Sequence, residues 1–268
     1  MIIGNKEFDT QNHTYIMGIL NVTPDSFSDG GKFNTVDAAL MQAEKMILEG
    51  ADILDIGGES TRPGYTQITD AEEIERTAPV IEGIKSHFDI PVSIDTYKSS
   101  VAEAALYAGA DLVNDIWGFK YDKNMAETVT RHQAACCLMH NRTEAIYQNY
   151  LADVMNDMRE CISLAKKAGI NDDKIILDPG VGFGKTYEMN LEIIREISQL
   201  KELGYPVLLG TSRKSVIGLT LNLPATQRVE GTLATTIYGM MNGCSFVRVH
   251  DIKENKRAIQ MMEAILNK

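Results

Sequence analysis

Eight short apolar runs alternate with segments of helical spacing along the chain, and this alternation limits the fold more than any other feature. The runs lie at residues 15–20, 53–56, 92–94, 112–113, 134–139, 174–177, 207–209 and 245–249. Between them, apolar residues recur every three or four positions, as in Val36, Ala39, Leu40 and Ala43. That period is typical of an amphipathic helix, so the pattern predicts eight strands that are each followed by a helix.

Glycines mark the predicted helix ends. Gly50, Gly109, Gly169 and Gly204 each stand shortly before the next strand, where a helix commonly ends on glycine. Strictly alternating strands and helices favour a parallel sheet with right-handed crossovers. Eight such units predict a closed (β/α)8 barrel, in the α/β class, over an open doubly wound sheet, and no GxGxxG follows the first strand. Since no linker interrupts the pattern, residues 1–268 are expected to form a single domain.

Charge and composition exclude several classes of protein. The net charge is −11, from 26 Lys plus Arg against 37 Asp plus Glu, so no global basic field is available for nucleic acid or an anionic membrane. No apolar stretch is long enough to span a membrane, and charges at Lys6, Glu7 and Asp9 interrupt the start of the chain. We therefore expect a cytoplasmic protein with small-molecule partners. The cysteines lack metal-site spacing and are expected to be buried free thiols: Cys136, Cys137, Cys161 and Cys244.

Polar residues follow the predicted strands, at the end of a barrel where catalytic groups gather. Three cations follow or end different strands, Arg62, Lys214 and Arg248, and together they indicate an anion such as phosphate; singly, each could form an ion pair with a carboxylate. Thr61, Ser212 and Ser215 add hydroxyl donors, and His250 shares a strand face with Arg248.

Asp95, Asn114 and Asp178 end three strands and would point acceptors and donors into the same mouth. A carboxylate pairs with the planar amino-imino edge of a guanine or pterin ring, and an amide reads the neighbouring edge. The other interpretation of each is a helix cap or a loop brace. Met139 could line a flat ring or belong to the core.

Two further loops invite a chemical interpretation. The segment 178–186 is not a phosphate-binding P-loop, because Pro179 stands where that motif needs glycine. It is either an ordinary surface loop or a lid that covers a flat ligand with Phe183. Asn21, with Asp25 nearby, offers hard oxygen ligands that suit Mg²⁺ shared with phosphate, or else residues 23–25 form a capped turn.

Seven motifs in order give the chain a close resemblance to dihydropteroate synthase from Tyr15 through Asp251. They are NVTPDSFSDGG, GGESTRPG, SIDTYKS, VNDIWG, DPGVGFGKT, GTSRKS and RVHD. The resemblance implies that 6-hydroxymethyl-7,8-dihydropterin diphosphate condenses with 4-aminobenzoate, giving 7,8-dihydropteroate and pyrophosphate. It also implies a homodimer, a Mg²⁺ cofactor and a subsite at which sulfonamides compete with 4-aminobenzoate.

The resemblance also assigns residues to three subsites. Those that would read the pterin edge or flank its ring are Asp95, Asn114, Asp178, Lys214, Met139 and Gly210. Those that would bind the diphosphate are Arg248, His250, Thr61, Arg62 and Asn21, with Mg²⁺ on Asn21. Those that would bind 4-aminobenzoate are Phe183, Pro63, Lys214 and Ser215.

The implied mechanism is dissociative, because an electron-rich dihydropterin can delocalise the cation left when diphosphate departs. Arg248, His250 and Arg62 would stabilise the leaving group, and Asp178 and Asp29 would hold the cation. Glycines in the first two loops, including Gly57 and Gly58, are expected to allow lid closure. Two alternatives are a pterin-binding methyltransferase domain on the same barrel and a pterin-binding paralogue without activity. Intact cation and diphosphate motifs argue against both.

Overall fold

The structure, a computed structural model, describes residues 1–23, 32–59 and 67–267. The strands are β1 (Ile2–Ile3), β2 (Lys6–Glu7), β3 (Tyr15–Asn21), β4 (Ile53–Gly57), β5 (Val92–Asp95), β6 (Leu112–Asp115), β7 (Ala135–Met139), β8 (Ile175–Asp178), β9 (Leu208–Leu209) and β10 (Phe246–Val249). The α-helices are α1 (Lys32–Glu49), α2 (Asp70–His87), α3 (Ser99–Tyr107), α4 (Met125–Arg131), α5 (Tyr150–Lys167), α6 (Tyr187–Arg195), α7 (Ser215–Leu221), α8 (Val229–Met241) and α9 (Ile252–Leu266).

Eight parallel strands form the predicted barrel. Their order is β8-β7-β6-β5-β4-β3-β10-β9, with all neighbours parallel. A parallel bridge between Leu177 and Val207 joins β8 to β9 and closes the ring. All eight predicted runs are strands, so the (β/α)8 prediction is confirmed. Parallel pairing requires a crossover after each strand, and the helices supply it.

The barrel strands are apolar on both faces because side chains alternate between the helical shell and the interior. Ile16, Leu54 and Ile94 pack outwards in the large core beneath the helices. The inward set forms a second cluster at the amino end: Met17, Ile53, Leu112, Cys137, Ile176, Leu208 and Phe246. The inward positions nearer the carboxyl ends carry polar groups, which leaves that end for a ligand.

An amino-terminal hairpin, β1 paired antiparallel with β2, closes the other end of the barrel. Its Ile3 and the following Phe8 are buried in the inward cluster, and the Phe8 ring meets the Tyr15 ring edge-on at 4.8 Å. The sequence pattern did not predict this hairpin. Strands of two residues are too short to show an alternating pattern, so periodicity could not find them.

Helix ends and cysteines follow the sequence pattern. Gly50 and Gly109 have φ of +104° and +107°, a conformation in which other residues are strained, and both end helices as predicted. All four cysteines are buried free thiols, which confirms that prediction. Within the described ranges, no helix combines the length and the apolar character that crossing a membrane requires.

Candidate active site

A buried arginine joins two carboxylates at the carboxyl end of the barrel. Arg248 on β10 donates from Nε to Asp55 Oδ2 on β4, and from Nη2 to Asp95 Oδ2 on β5, both at 2.5 Å. The side chain of Asp55 is fully buried, and that of Asp95 is 7% exposed. The barrel therefore brings together three charges that lie far apart in sequence, and Arg248 is an ion-pair partner as well as a candidate ligand for an anion.

An amide continues this group of polar side chains. Asn114 at the end of β6 lies with Nδ2 3.4 Å from Asp55 Oδ2. In the part of the chain that the structure describes, Asp55 Oδ1 and Asp95 Oδ1 are buried and accept no hydrogen bond. Buried acceptors without donors are costly, so these two oxygens suit a ligand that brings N–H groups into the mouth.

Asp178 and Lys214 form the opposite side of the mouth. Asp178 ends β8, and its Oδ1 accepts from the backbone N–H of Gly180 at 2.7 Å. Gly210, after β9, lies between them: a Cβ there would stand 3.6 Å from Asp178 Oδ2 and 3.8 Å from both Arg248 Cβ and Lys214 Nζ. The missing side chain leaves the surface open beside the Asp178 carboxylate, as a planar ligand requires.

An apolar wall borders the polar groups. Met139 is buried in a small cluster with Tyr97 and Ile116, and Trp117 and Phe183 pack against it. The ammonium of Lys214 lies 4.9 Å from the centre of the Phe183 ring and donates to Val181 O at 2.6 Å. Met139 lies beside Asp178 on the neighbouring strand, whereas Cys136 and Cys137 belong to the core.

Burial controls the charges at the mouth. Desolvation raises the pKa of Asp95, opposed by the positive charge of Arg248, and raises that of Asp178, opposed chiefly by Lys214. Burial lowers the pKa of Lys214 to about 8, against the attraction of Asp178. Although burial disfavours the charged form of Arg248, the adjacent Asp55 and Asp95 raise its pKa overall. Arg248 is thus a permanent cation.

The remaining described candidates lie around this centre. His250, just after β10, has Nδ1 3.0 Å from Ser212 Oγ, and Ser215 begins α7 next to Lys214. Asn21 ends β3 beside Gly57, whose absent Cβ would lie 3.2 Å from Asn21 Oδ1 and 3.8 Å from Asp95 Oδ2. All of these side chains stand at the carboxyl ends of barrel strands or in the loops after them.

Some of the predicted site residues lie outside the described residues, and the role predicted for Gly57 and Gly58 is corrected by the structure. Asp25, Asp29, Thr61, Arg62 and Pro63 fall in the segments 24–31 and 60–66. Gly57 and Gly58 are buried, Gly57 within β4, and a Cβ on Gly58 would meet Thr77 of α2 at 2.7 Å. The expectation that these glycines allow lid closure is wrong, because they serve close packing.

Sequence reasoning missed Asp55. The signal was present, because a carboxylate interrupts the apolar run of β4 and buried acids need a partner. It also assigned Asp115 no role: Asp115 accepts from the backbone N–H groups of Trp117 and Phe119, both at 2.8 Å, and braces the loop after β6.

Comparison with known proteins identifies the family of the chain. A family model described as pterin binding enzyme matches residues 17–250. The chain is 60% identical to the dihydropteroate synthase of Clostridium beijerinckii over 269 residues, covering 100% of both chains. The chain belongs to the dihydropteroate synthase family. It is accordingly a transferase of folate biosynthesis.

Other relatives extend the likeness. The dihydropteroate synthase of Bacillus subtilis is 52% identical across 95% of this chain and 90% of that protein. The crystal structure of the Clostridium difficile enzyme in the presence of pteroic acid has a TM-score of 0.95 and 51% identity, covering 98% of this chain and 100% of the other. The crystal structure of the Yersinia pestis dihydropteroate synthase with a sulfonamide drug complex has a TM-score of 0.93 and 38% identity, covering 100% of this chain and 99% of the other.

Proposed function

We propose that the protein condenses 6-hydroxymethyl-7,8-dihydropterin diphosphate with 4-aminobenzoate to form 7,8-dihydropteroate and pyrophosphate. The observation that carries the proposal is the convergence of Asp95, Asn114, Asp178 and Arg248 at one end of the barrel. The membership of the family supports the same reaction. Neither a methyltransferase nor an inactive paralogue is favoured by any observation of the site.

The carboxylates and the amide fit the hydrogen-bonding edge of a pterin. Asp178 offers Oδ2 beside the open surface at Gly210, while its Oδ1 is held by Gly180 N–H. Asp95 Oδ1 and Asp55 Oδ1 are further buried acceptors. A pterin carries several N–H donors in one plane, so its ring would satisfy these oxygens, with Asn114 at a neighbouring edge. Met139 would contact the face of the ring.

Arg248 has a double role in this proposal. Its Nε and Nη2 bind the two carboxylates, and its Nη1 makes no hydrogen bond with a described residue. That group can donate to a phosphate oxygen while the carboxylates fix the guanidinium in place. His250 and Ser212 add polar groups nearby. Negative charge that grows on the departing diphosphate would thus meet a preorganised cation.

The reaction needs no protein nucleophile. The C–O bond to diphosphate breaks with its electron pair, the dihydropterin delocalises the cation, and the amine of 4-aminobenzoate forms the new C–N bond and loses a proton. Asp178 would stabilise the cation, and Lys214, whose ammonium lies over the Phe183 ring, would border the approach of the arylamine together with Phe183. Asp29, Thr61, Arg62 and Pro63 are assigned to the same steps by the motifs alone. All four buried thiols lack the low pKa of a nucleophile, because burial raises the pKa of each.

We extend the proposal to Mg²⁺ at Asn21. The site fits the ion because Asn21 Oδ1 is a hard neutral oxygen and Gly57 leaves space beside it. Among the described residues, no group of three or more His, Cys, Asp or Glu side chains is arranged so that it could hold a metal ion. Substrate phosphates and water would therefore complete the coordination. When bound, Mg²⁺ would neutralise diphosphate charge. Asn21 would orient the diphosphate towards Arg248.

Pyrophosphate release tests the proposal. Purified protein is mixed with the pterin diphosphate and Mg²⁺, with and without 4-aminobenzoate, and product is identified by mass. We expect pyrophosphate and dihydropteroate in equal amounts only when both substrates are present. Addition of EDTA should lower both turnover and affinity for the diphosphate. Absence of dihydropteroate would refute the reaction, whereas full activity in EDTA would remove only Mg²⁺.

A further inference from the structure

The glycine-rich loop at 179–184 is fastened to the protein by side chains that donate to its backbone. Lys185 Nζ donates to Gly180 O at 2.9 Å and to Phe183 O at 3.0 Å. Tyr147 Oη donates to Gly184 O at 2.7 Å. The loop is therefore neither an open surface loop nor held by apolar packing alone, and Lys185 supplies two of its attachments.

This loop needs external attachment because of its backbone conformation. Gly180, Gly182 and Gly184 all have positive φ, of +67°, +88° and +54°. A Cβ on Gly180 would lie 1.9 Å from His140 O, so the loop presses directly on the end of β7. Glycine loses much conformational entropy on ordering, and three glycines in six residues make the loop costly to hold. Its hydrogen bonds must offset that cost.

Lys185 is itself held by a buried histidine. Its Nζ lies 2.8 Å from His140 Nδ1. The other ring nitrogen, Nε2, lies 3.0 Å from Asp157 Oδ2, and because a carboxylate can only accept, Nε2 carries the proton and donates. In the neutral ring Nδ1 is then the acceptor of an N–H from Lys185. Arg142 Nε also donates to the Asp157 carboxylate, at 2.7 Å. The His140 side chain is fully buried, so the series of hydrogen bonds from Asp157 on α5 through His140 to Lys185 has a single donor-to-acceptor direction.

The fastened loop positions two groups of the proposed arylamine subsite. Val181 O accepts from Lys214 Nζ, and the Phe183 ring lies under the same ammonium. A shift of the loop would therefore move Phe183 and release Lys214 together. The pterin side depends on the loop less. Asp95, Asn114 and Arg248 stand on other strands, and Asp178 is carried by β8, although its Oδ1 accepts from the N–H of Gly180 in the loop.

We propose that Lys185, seated on His140 and Asp157, is a positioning residue that holds Phe183 and Lys214 in place for 4-aminobenzoate. This inference rests on the proposed function. Lys185 does not touch the reacting atoms; it acts by fixing the backbone of the loop between Gly180 and Gly184. Its removal should weaken arylamine binding and leave pterin diphosphate binding nearly unchanged.

Lys185→Met tests the inference, with Lys166→Met as the control. Methionine keeps the length of the side chain and removes the donors, and Lys166 is an exposed lysine on α5. We expect the KM for 4-aminobenzoate to rise about tenfold in Lys185→Met, the equivalent of about one net hydrogen bond. The Kd of the pterin diphosphate should change less than about twofold by calorimetry, which corresponds to less than half of the net free energy of a typical hydrogen bond. Lys166→Met should match the wild type.

Hydrogen exchange gives a readout that does not depend on activity. Amides of 180–184 should exchange faster in Lys185→Met, while those of β6 keep wild-type rates. If Lys185→Met does not fold, Lys185→Gln, which retains an N–H donor pair, is expected to show the same changes to a smaller degree. An unchanged arylamine KM with unchanged loop exchange would overturn the inference. Equal weakening of both substrates would overturn it as well. Failure of the wild type to form dihydropteroate would instead refute the proposed function, and the exchange result would still decide whether Lys185 fixes the loop.

Discussion

Replacement of Arg248 by methionine should expose how strongly the mouth of the barrel depends on one buried cation. Arg248 neutralises Asp55 and Asp95 through two 2.5 Å hydrogen bonds, and its side chain is 18% exposed. Loss of one partner from a buried ion pair costs about 3–5 kcal/mol of unfolding free energy, because the remaining charges stay desolvated. We expect a value in this range at pH 8, with turnover reduced about 10²-fold by loss of leaving-group stabilisation.

The unfolding free energy lost in Arg248→Met should be smaller in acid, because protonation is linked to stability. Burial already raises the pKa of Asp95 against the opposing charge of Arg248, and removal of Arg248 raises it further. A carboxyl whose pKa is raised in the folded state destabilises the protein above that pKa. This destabilisation disappears on acidification, as the carboxyl binds a proton. At pH 5 the cost should fall to about 1–2 kcal/mol, the value of the lost hydrogen bonds.

Urea denaturation followed by circular dichroism measures both values. Arg131→Met is the matched control, because Arg131 pairs with Glu103 at 3.2 Å on the surface with its side chain 52% exposed, and such pairs contribute about 0–1 kcal/mol. The triple variant Asp55→Asn, Asp95→Asn and Arg248→Met should recover most of the loss, since it removes the charges together. A cost below about 1 kcal/mol at pH 8, or one that does not fall in acid, would refute the reasoning.

Three further predictions concern single positions. Phe183→Ala should raise the KM for 4-aminobenzoate and leave the Kd of the pterin diphosphate nearly unchanged; calorimetry showing equal weakening of both would contradict the division into subsites. Gly210→Ala should keep the wild-type melting temperature, since its Cβ would make only ordinary contacts of 3.6–3.8 Å, but should raise the KM for the pterin diphosphate by filling the space beside Asp178. An unchanged KM would place the ring elsewhere. Burial lowers the pKa of His140 to about 4, against the attraction of Asp157. Because the folded protein holds His140 neutral, the free energy of unfolding should fall by about 3 kcal/mol as the pH drops from about 6.5 to about 4. His140→Gln should lack this part of the pH dependence of urea unfolding, and an identical profile would show that His140 does not titrate in this range.

Much of the site could be located from sequence because a barrel places its strand ends on one rim. Once eight strands were recognised, Asp95, Asn114, Asp178 and Arg248 had to face the same opening. Asp55 was missed because it lies inside an apolar run and not at its end. The network around Lys185 was also missed, since hydrogen bonds to backbone carbonyls leave no periodic trace in a sequence.

The amino-acid sequence alone determined the order of strands and helices, the glycine helix ends and the rim on which the polar groups stand, because these depend on local periodicity and backbone preference. Only the tertiary structure decided which charges meet. Arg248 pairs with Asp55 and Asp95 across 193 and 153 positions of the chain. Closure of the barrel brings these residues together, and the cost of burying an unpaired charge makes them bind one another.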